Sequence, residues 1–218
     1  MADARHYDLN VLLDGDGGAT IQGRLELRGA EAIEWREALK MFDRARLGEV
    51  FQQAELQRLL PGATVSLERI DLEQESDREL PLTLRFEASA TNLGRQGSDG
   101  YRMPSALVPM NRSLRYATLP SRASEMAVGY SEPMSARVAL RLDRGVFASV
   151  PEAVTIEGPF GRYTRAVVEG GAGEASLVFE SEAALVVRGV VPDAYPDFLE
   201  FARAVQLAEQ QEIAVRDP

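Results

Sequence analysis

The chain's 218 residues, 45% hydrophobic and 27% charged, suffice for an ordinary buried core and exclude intrinsic disorder. Its 34 acidic against 24 basic residues leave a net charge of −10. That argues against nucleic acid and anionic lipid as partners, since both demand a concentrated basic surface. Cysteine is absent and His6 is the sole histidine, so disulfides, thiol nucleophiles and zinc–thiolate centres are ruled out. No run of 18 apolar residues occurs, so no membrane-spanning helix is expected. The opening MADARHYDLN lacks the basic-then-apolar layout of a signal peptide, which reads as a cytosolic chain or as a segment of a longer one.

In chain order, HYDLNVLLDGDGGATIQGRLELRG predicts a hairpin. Leu9, Val11 and Leu13 alternate with polar neighbours, as do Ile21, Leu25 and Leu27 on the return strand, around the turn-rich DGDGG. Read as a calcium loop from Asp14, the segment puts Gly18 and Leu25 where acidic ligands belong, so a turn is expected and no metal. From Gly29 to Leu60 the period becomes helical. Ile33, Trp35, Leu39 and Phe42 come first, then Val50, Phe51, Leu56, Leu59 and Leu60. A break near Gly48 predicts two helices, and Pro61-Gly62 ends the second. Trp35 reads as a core aromatic rather than a ligand platform. Strand alternation returns in ATVSLERIDLEQ, with a slip near Arg69 that predicts a bulge, and again in ELPLTLRFEASA.

Residues 1–92 thus read as a β-β-α-α-β-β domain, and the aperiodic TNLGRQGSDGYRMP marks a boundary near 91–103. Beyond it, SALVPMN, ARVALRLDRG, AVTIEGPFGRYTRAVVEGG and ASLVFESEAALVVRGVV are short strands with Gly, Pro and Asp punctuation. They predict a small antiparallel sandwich over 103–218. The expected fold class is mainly β with some α (α+β): an antiparallel sheet with two helices, then a β-sandwich with a C-terminal helix. That helix runs from Asp193, its expected N-cap, to about Gln210, with Pro196 in the first turn and Tyr195, Phe198, Ala202 and Val205 as one stripe. Arg203 is its only cation among Asp193, Asp197, Glu200, Glu209 and Glu212, the opposite of a membrane-surface helix. It reads as a clip laid on the sandwich, with EIAV following as a last edge strand.

Little catalytic chemistry is legible. No thiol exists, His6 stands alone in a terminal strand, and Lys40 has no adjoining serine. No P-loop or dinucleotide fingerprint appears, because GDGGAT joins two strands. Glu180 and Glu182 share a strand face, the default being a solvated one. The hairpin GPFGRYTR is the candidate binding element: Phe160 and Tyr163 would present a small aromatic patch with Arg162 and Arg165 beside it, unless its aromatics are partly buried. Neither cofactor nor metal is expected.

The second half, from LRYATLPSRASEM through LVFESEAALVVRGVVPDAYPDFLEFARAVQLAEQQEIAV, resembles the C-terminal region of bacterial transglutaminase-like proteins, the β-rich part that follows the Cys-His-Asp core. The matches are Val138–Leu142, Val150-Pro151, Phe160 with Tyr163, Val187-Arg188, and Tyr195, Phe198, Phe201, Val205 and Ala208. LNVLLDGDGGATIQGRLELRGAEAIEWREAL, LPGATVSLERIDL and LPLTLRFEA extend the resemblance over nearly the whole chain. None of the family's catalytic residues falls in these segments. The resemblance implies a non-catalytic accessory or protein-interaction module of the periplasm or cell envelope, with the cytosol still open. Its partner would be a protein, or the transglutaminase-like core of the same polypeptide, with neither nucleic acid nor membrane insertion. The alternative is a β domain that binds a small ligand or glycan through the 160–165 hairpin or a groove between the halves.

Overall fold

The computed structural model describes residues 4–14, 17–41, 44–74, 77–97, 100–128 and 133–216. The strands are β1 (Ala4–Leu13), β2 (Ala19–Arg28), β3 (Thr64–Glu73), β4 (Leu82–Thr91), β5 (Arg95–Gly97), β6 (Gly100–Pro104), β7 (Met126–Ala127), β8 (Met134–Leu142), β9 (Val146–Ser149), β10 (Val154–Gly158), β11 (Gly161–Gly170), β12 (Ser176–Leu185), β13 (Gly189–Val190) and β14 (Glu212–Arg216). The α-helices among the described residues are α1 (Ala30–Leu39), α2 (Arg44–Ala54) and α3 (Tyr195–Glu209). The α+β class is as expected.

Eight strands form one sheet in the order β10-β11-β12-β8-β1-β2-β4-β3. All neighbours are antiparallel except β1 and β8, which run parallel from Arg5↔Met134 to Leu13↔Leu142. Strands from both sequence halves therefore share one hydrogen-bonded sheet, and the 91–103 segment, which holds β5 and the start of β6, does not divide it. Strict alternation explains why. Leu9, Val11 and Leu13 bury on one face of β1, and Val138, Leu140 and Leu142 bury on the same face of β8, so the two strands present one apolar surface. That face carries the helices and a four-stranded sheet, β5-β6-β14-β9, around a continuous core that includes Leu9, Phe86, Phe147, Phe198 and Ile213.

The expected β1–β2 hairpin forms, in register from Leu13↔Ala19 to Ala4↔Arg28, and Asp14 accepts the Gly18 N–H (2.7 Å) to close its loop. The bulge expected near Arg69 lies between Leu67 and Arg69. Gly23 breaks the apolar series of β2 for a steric reason: a β-carbon there would overlap the Phe86 ring, which lies across it from β4.

The helical region departs from expectation. Gly48 lies inside α2, and the interruption comes before it, between Leu39 and Arg44. On α1 the buried positions are Ala32 and Arg36, while Ile33 is exposed. Arg36 reaches the carbonyl oxygens of Gln74 (3.1 Å), Asp77 (2.7 Å) and Leu80 (2.8 Å), so a cation holding the β3–β4 connection takes the place expected for an apolar side chain. Trp35 meets Phe51 edge-on at 6.4 Å, and Phe51 packs on Phe86 at 5.1 Å, as a core aromatic should. Phe42 lies outside the described residues.

At the other end of the chain, Asp193 sits in a 3-10 turn (Pro192–Ala194) and Ala194 is the N-cap of α3, with no side-chain cap bond; Pro196 does occupy the first turn. The stripe Tyr195, Phe198, Ala202 and Val205 is buried, together with Phe201. The segment after α3 is no edge strand: β14 lies between β6 and β9.

Candidate functional site

The hairpin singled out in the sequence divides its four residues between the two faces of the sheet. Gly161, Tyr163 and Arg165 alternate inward on β11, and Arg162 points out. Phe160, in the turn, is buried edge-on against Phe198 (5.4 Å) and tilted against Phe201 (6.3 Å). The expected exposed aromatic patch therefore does not form. Its aromatics hold α3 to the sheet. Arg162 alone stays exposed and borders a cavity of about 260 Å³ with Ser135 and Glu182. The period-two alternation of GRYTR was the signal for this split.

Arg165 is 1% exposed and forms no ion pair with a carboxylate among the described residues. Its guanidinium donates to Ser105 Oγ (2.7 Å), to the Ala208 carbonyl in the last turn of α3 (2.6 Å) and to Gln211 Oε1. A cation at a helix C-terminus satisfies orphan carbonyls and complements the helix dipole. Burial nonetheless lowers its pKa, against the pull of Tyr163 and Glu209. Glu209 accepts the Met110 N–H (2.6 Å), and burial pushes its carboxyl up to about 7, opposed by the Met110 and Asn111 N–H groups and by Arg165. Tyr163 is pushed up to about 12, by burial first and then by Glu209.

A second buried arginine, Arg5 on β1, is compensated differently. It forms a bidentate pair with Glu31 of α1 (2.9 Å to each oxygen) and reaches Glu55, just past α2, at 2.8 Å. Tyr7 Oη donates to the same Glu55 (2.8 Å). Burial works against the guanidinium charge, but Tyr7, Glu55 and Glu31 outweigh it and raise the pKa. Burial, then Glu55, also raises that of Tyr7. Both carboxylates are committed to cations, Glu55 to Arg5 and Glu31 to Arg5 and, at 3.8 Å, to Arg112, so this cluster is a clamp and offers no free acid or base. None of these partners was legible in the sequence.

His6 is not alone as expected: its Nδ1 lies 2.8 Å from Ser135 Oγ on β8. The pair sits on the outer sheet face, and no described hydrogen bond orients the other ring nitrogen. Glu180 and Glu182 point to that same face and are exposed. Among the described residues no group of three His, Asp or Glu is placed to hold a metal, and no helix is long and apolar enough to cross a membrane.

The sheet has two edges of different construction. β3 carries the bulge and four consecutive or alternating charges, Glu68, Arg69, Asp71 and Glu73, with Arg69 paired to Asp71 (2.7 Å) and Glu73 to Arg85 (2.7 Å). Bulges and charges are the usual guards against edge pairing. β10 (VTIEG) has an unshifted register and one charge, Glu157. Gly158 and Gly161 pair across the two-residue Pro159–Phe160 turn, so they exchange hydrogen bonds, and by alternation so do Ile156 with Tyr163 and Val154 with Arg165. The backbone N–H and C=O groups of Thr155 and Glu157 therefore point away from β11, along the open edge.

No protein-family model, curated protein or solved structure matches this chain.

Proposed function

We propose that this chain is a non-catalytic accessory module, resembling the C-terminal region of transglutaminase-like proteins, that captures an extended polypeptide segment by strand addition to β10. The partner is the transglutaminase-like core of the same polypeptide or a separate envelope protein. The observation that carries the reading is the unguarded edge: four aligned backbone groups on Thr155 and Glu157, beside a rigid hairpin pinned by Phe160 and Arg165. An added strand would set alternate apolar residues beside the half-buried Val154 and Ile156, and polar or basic residues beside Thr155 and Glu157. The net charge of −10 favours a partner with basic outward positions.

Selection of a phage-displayed random peptide library on the protein tests this. Enriched peptides should alternate apolar and polar residues. Their binding should be lost in Thr155→Pro, which removes only an outward N–H, and kept in Thr155→Ala, which leaves that N–H in place. An unenriched library, or peptides indifferent to Thr155→Pro, would count against the proposal.

A further inference from the structure

The outer face of the eight-stranded sheet, opposite the helices, is covered by no described element, and its side chains fall in rows across the strands. One row runs Glu180, Arg137, Asp8, Arg24, Arg85 and Asp71, alternating in sign but for one step. These charges are largely spent on one another and on neighbours: Arg137 faces Asp8 and Glu169 at 3.8 Å, Arg24 pairs with Glu26, Arg85 with Glu73 and Arg69 with Asp71. The face is thus close to neutral and attracts neither polyanion nor polycation.

The next rows are different. Val178, Ala139, Asn10 and Gln22 align across β12, β8, β1 and β2, with Leu12 and Thr20 one step on. They line a trough of about 490 Å³, and a second depression of about 360 Å³ adjoins it through Asn10 and Gln22. Leu12, 45% exposed, with Ala139 and Val178, makes an apolar floor. The side-chain amides of Asn10 and Gln22 make no hydrogen bond to a described residue, and Asp8 Oδ1 and Arg24 Nε, both screened from solvent in the adjoining depression, have no hydrogen-bond partner.

We infer that this trough binds a neutral, hydroxyl-rich ligand, an uncharged oligosaccharide. Each amide presents a donor and an acceptor side by side, as each sugar hydroxyl does. The floor of Leu12, Ala139 and Val178 takes the C–H face of a pyranose ring, and the volume is that of a small-ligand site. A phosphate or carboxylate ligand would need a surplus of arginines and a cation a surplus of carboxylates; Arg141 and Glu87 line the two depressions without an ion pair to a described residue, but Arg24, Arg69, Arg85 and Arg141 are matched by Asp8, Asp71, Glu87 and Glu169, so neither sign is in excess. No aromatic side chain faces the trough, so affinity rests on hydrogen bonds and is weak. The site is separate from β10, and its occupancy does not depend on strand addition there.

Titration of the full chain with cellotetraose and with chitotetraose, followed by amide NMR shifts, tests the inference, with an oligogalacturonate as the charged control. Saturable shifts should centre on residues 10–12, 20–22 and 139 for at least one neutral probe. The double variant Asn10→Ala, Gln22→Ala should bind about tenfold more weakly or worse, as expected for losing hydrogen bonds of roughly 1 kcal/mol each. Asp8→Asn, which preserves shape, provides a second reading should the double variant lose its native circular dichroism. It should shift the same titration. Absence of saturable shifts, shifts centred elsewhere, binding of the charged probe alone, or titrations unchanged in both variants would each overturn the assignment.

Discussion

The two ends of the eight-stranded sheet are closed in different ways. At the β3 end, Arg5 carries two carboxylates and a tyrosine, ties β1 to both N-terminal helices, and stands behind an edge guarded by a bulge and paired charges. At the β10 end, Arg165 is held by a hydroxyl, a side-chain amide and a helix carbonyl, the nearby Glu209 titrates close to neutrality, and the edge carries no guard. Both arginines fasten a helical layer to the same face. The first arrangement spends charge on rigidity. The second leaves a less compensated interior beside an open strand, the combination expected where a surface works by association.

Breaking the β10 end outright should have the largest effect. Ending the chain after Val191 removes α3, with its buried Tyr195, Phe198 and Phe201, and takes β14 from between β6 and β9. Thermal unfolding should lose its cooperative transition. An unchanged melting curve would mean that α3 contributes nothing to the core. Next comes the β3 end: Arg5→Ala leaves Glu55 without its cation and Glu31 with Arg112 alone, at 3.8 Å, and should cost about 3–5 kcal/mol in urea unfolding. Adding Glu31→Gln and Glu55→Gln should recover much of that loss, since the penalty lies in stranded charge.

Arg165→Met should cost less, about 1–3 kcal/mol, because it strands neutral acceptors only. Equal losses at the two arginines would erase the contrast between the ends. Smaller still is the Glu209 effect. Its native pKa of about 7 lies above the unfolded value near 4.3, so its contribution is full at acid pH and lost as pH rises through 7. Glu209→Gln should flatten stability between those limits and gain on the order of 1 kcal/mol at pH 8. A variant with the wild-type pH profile would show that the carboxyl does not titrate there.

How much of this was legible in the sequence differs between the ends in the same way. Period-two alternation gave β1, β2, β3 and β4 and the bulge at Arg69, and the 3.6-residue period gave the α3 stripe, because burial on one face leaves a direct mark on residue type. The pairing of β1 with β8 left no such mark: both strands alternate, and alternation does not say which strands are neighbours. Arg5, Arg36 and Arg165 were unreadable as core residues for a related reason. A charged side chain looks solvent-facing until the tertiary fold brings to it partners such as Glu31, Asp77 and Ser105, 26 to 60 positions away. Of the two readings of the 160–165 hairpin, an exposed aromatic patch or an ordinary hairpin with buried aromatics, the fold takes the second, and its own alternation already places Tyr163 and Arg165 with Gly161. The packing that matters, Phe160 on Phe198, comes from an element read separately.

The central claim, that β10 is the docking edge and β3 is not, is tested most directly by photo-crosslinking in the native host. A benzoylphenylalanine placed at Thr155 is compared with one at Ser66; both sites face the same side of the sheet, at its opposite margins. Strand addition at β10 predicts a discrete crosslinked polypeptide from position 155, absent from position 66 and abolished when Glu157→Pro blocks the edge. Crosslinks from position 66 alone, or equal products from both positions, would contradict it.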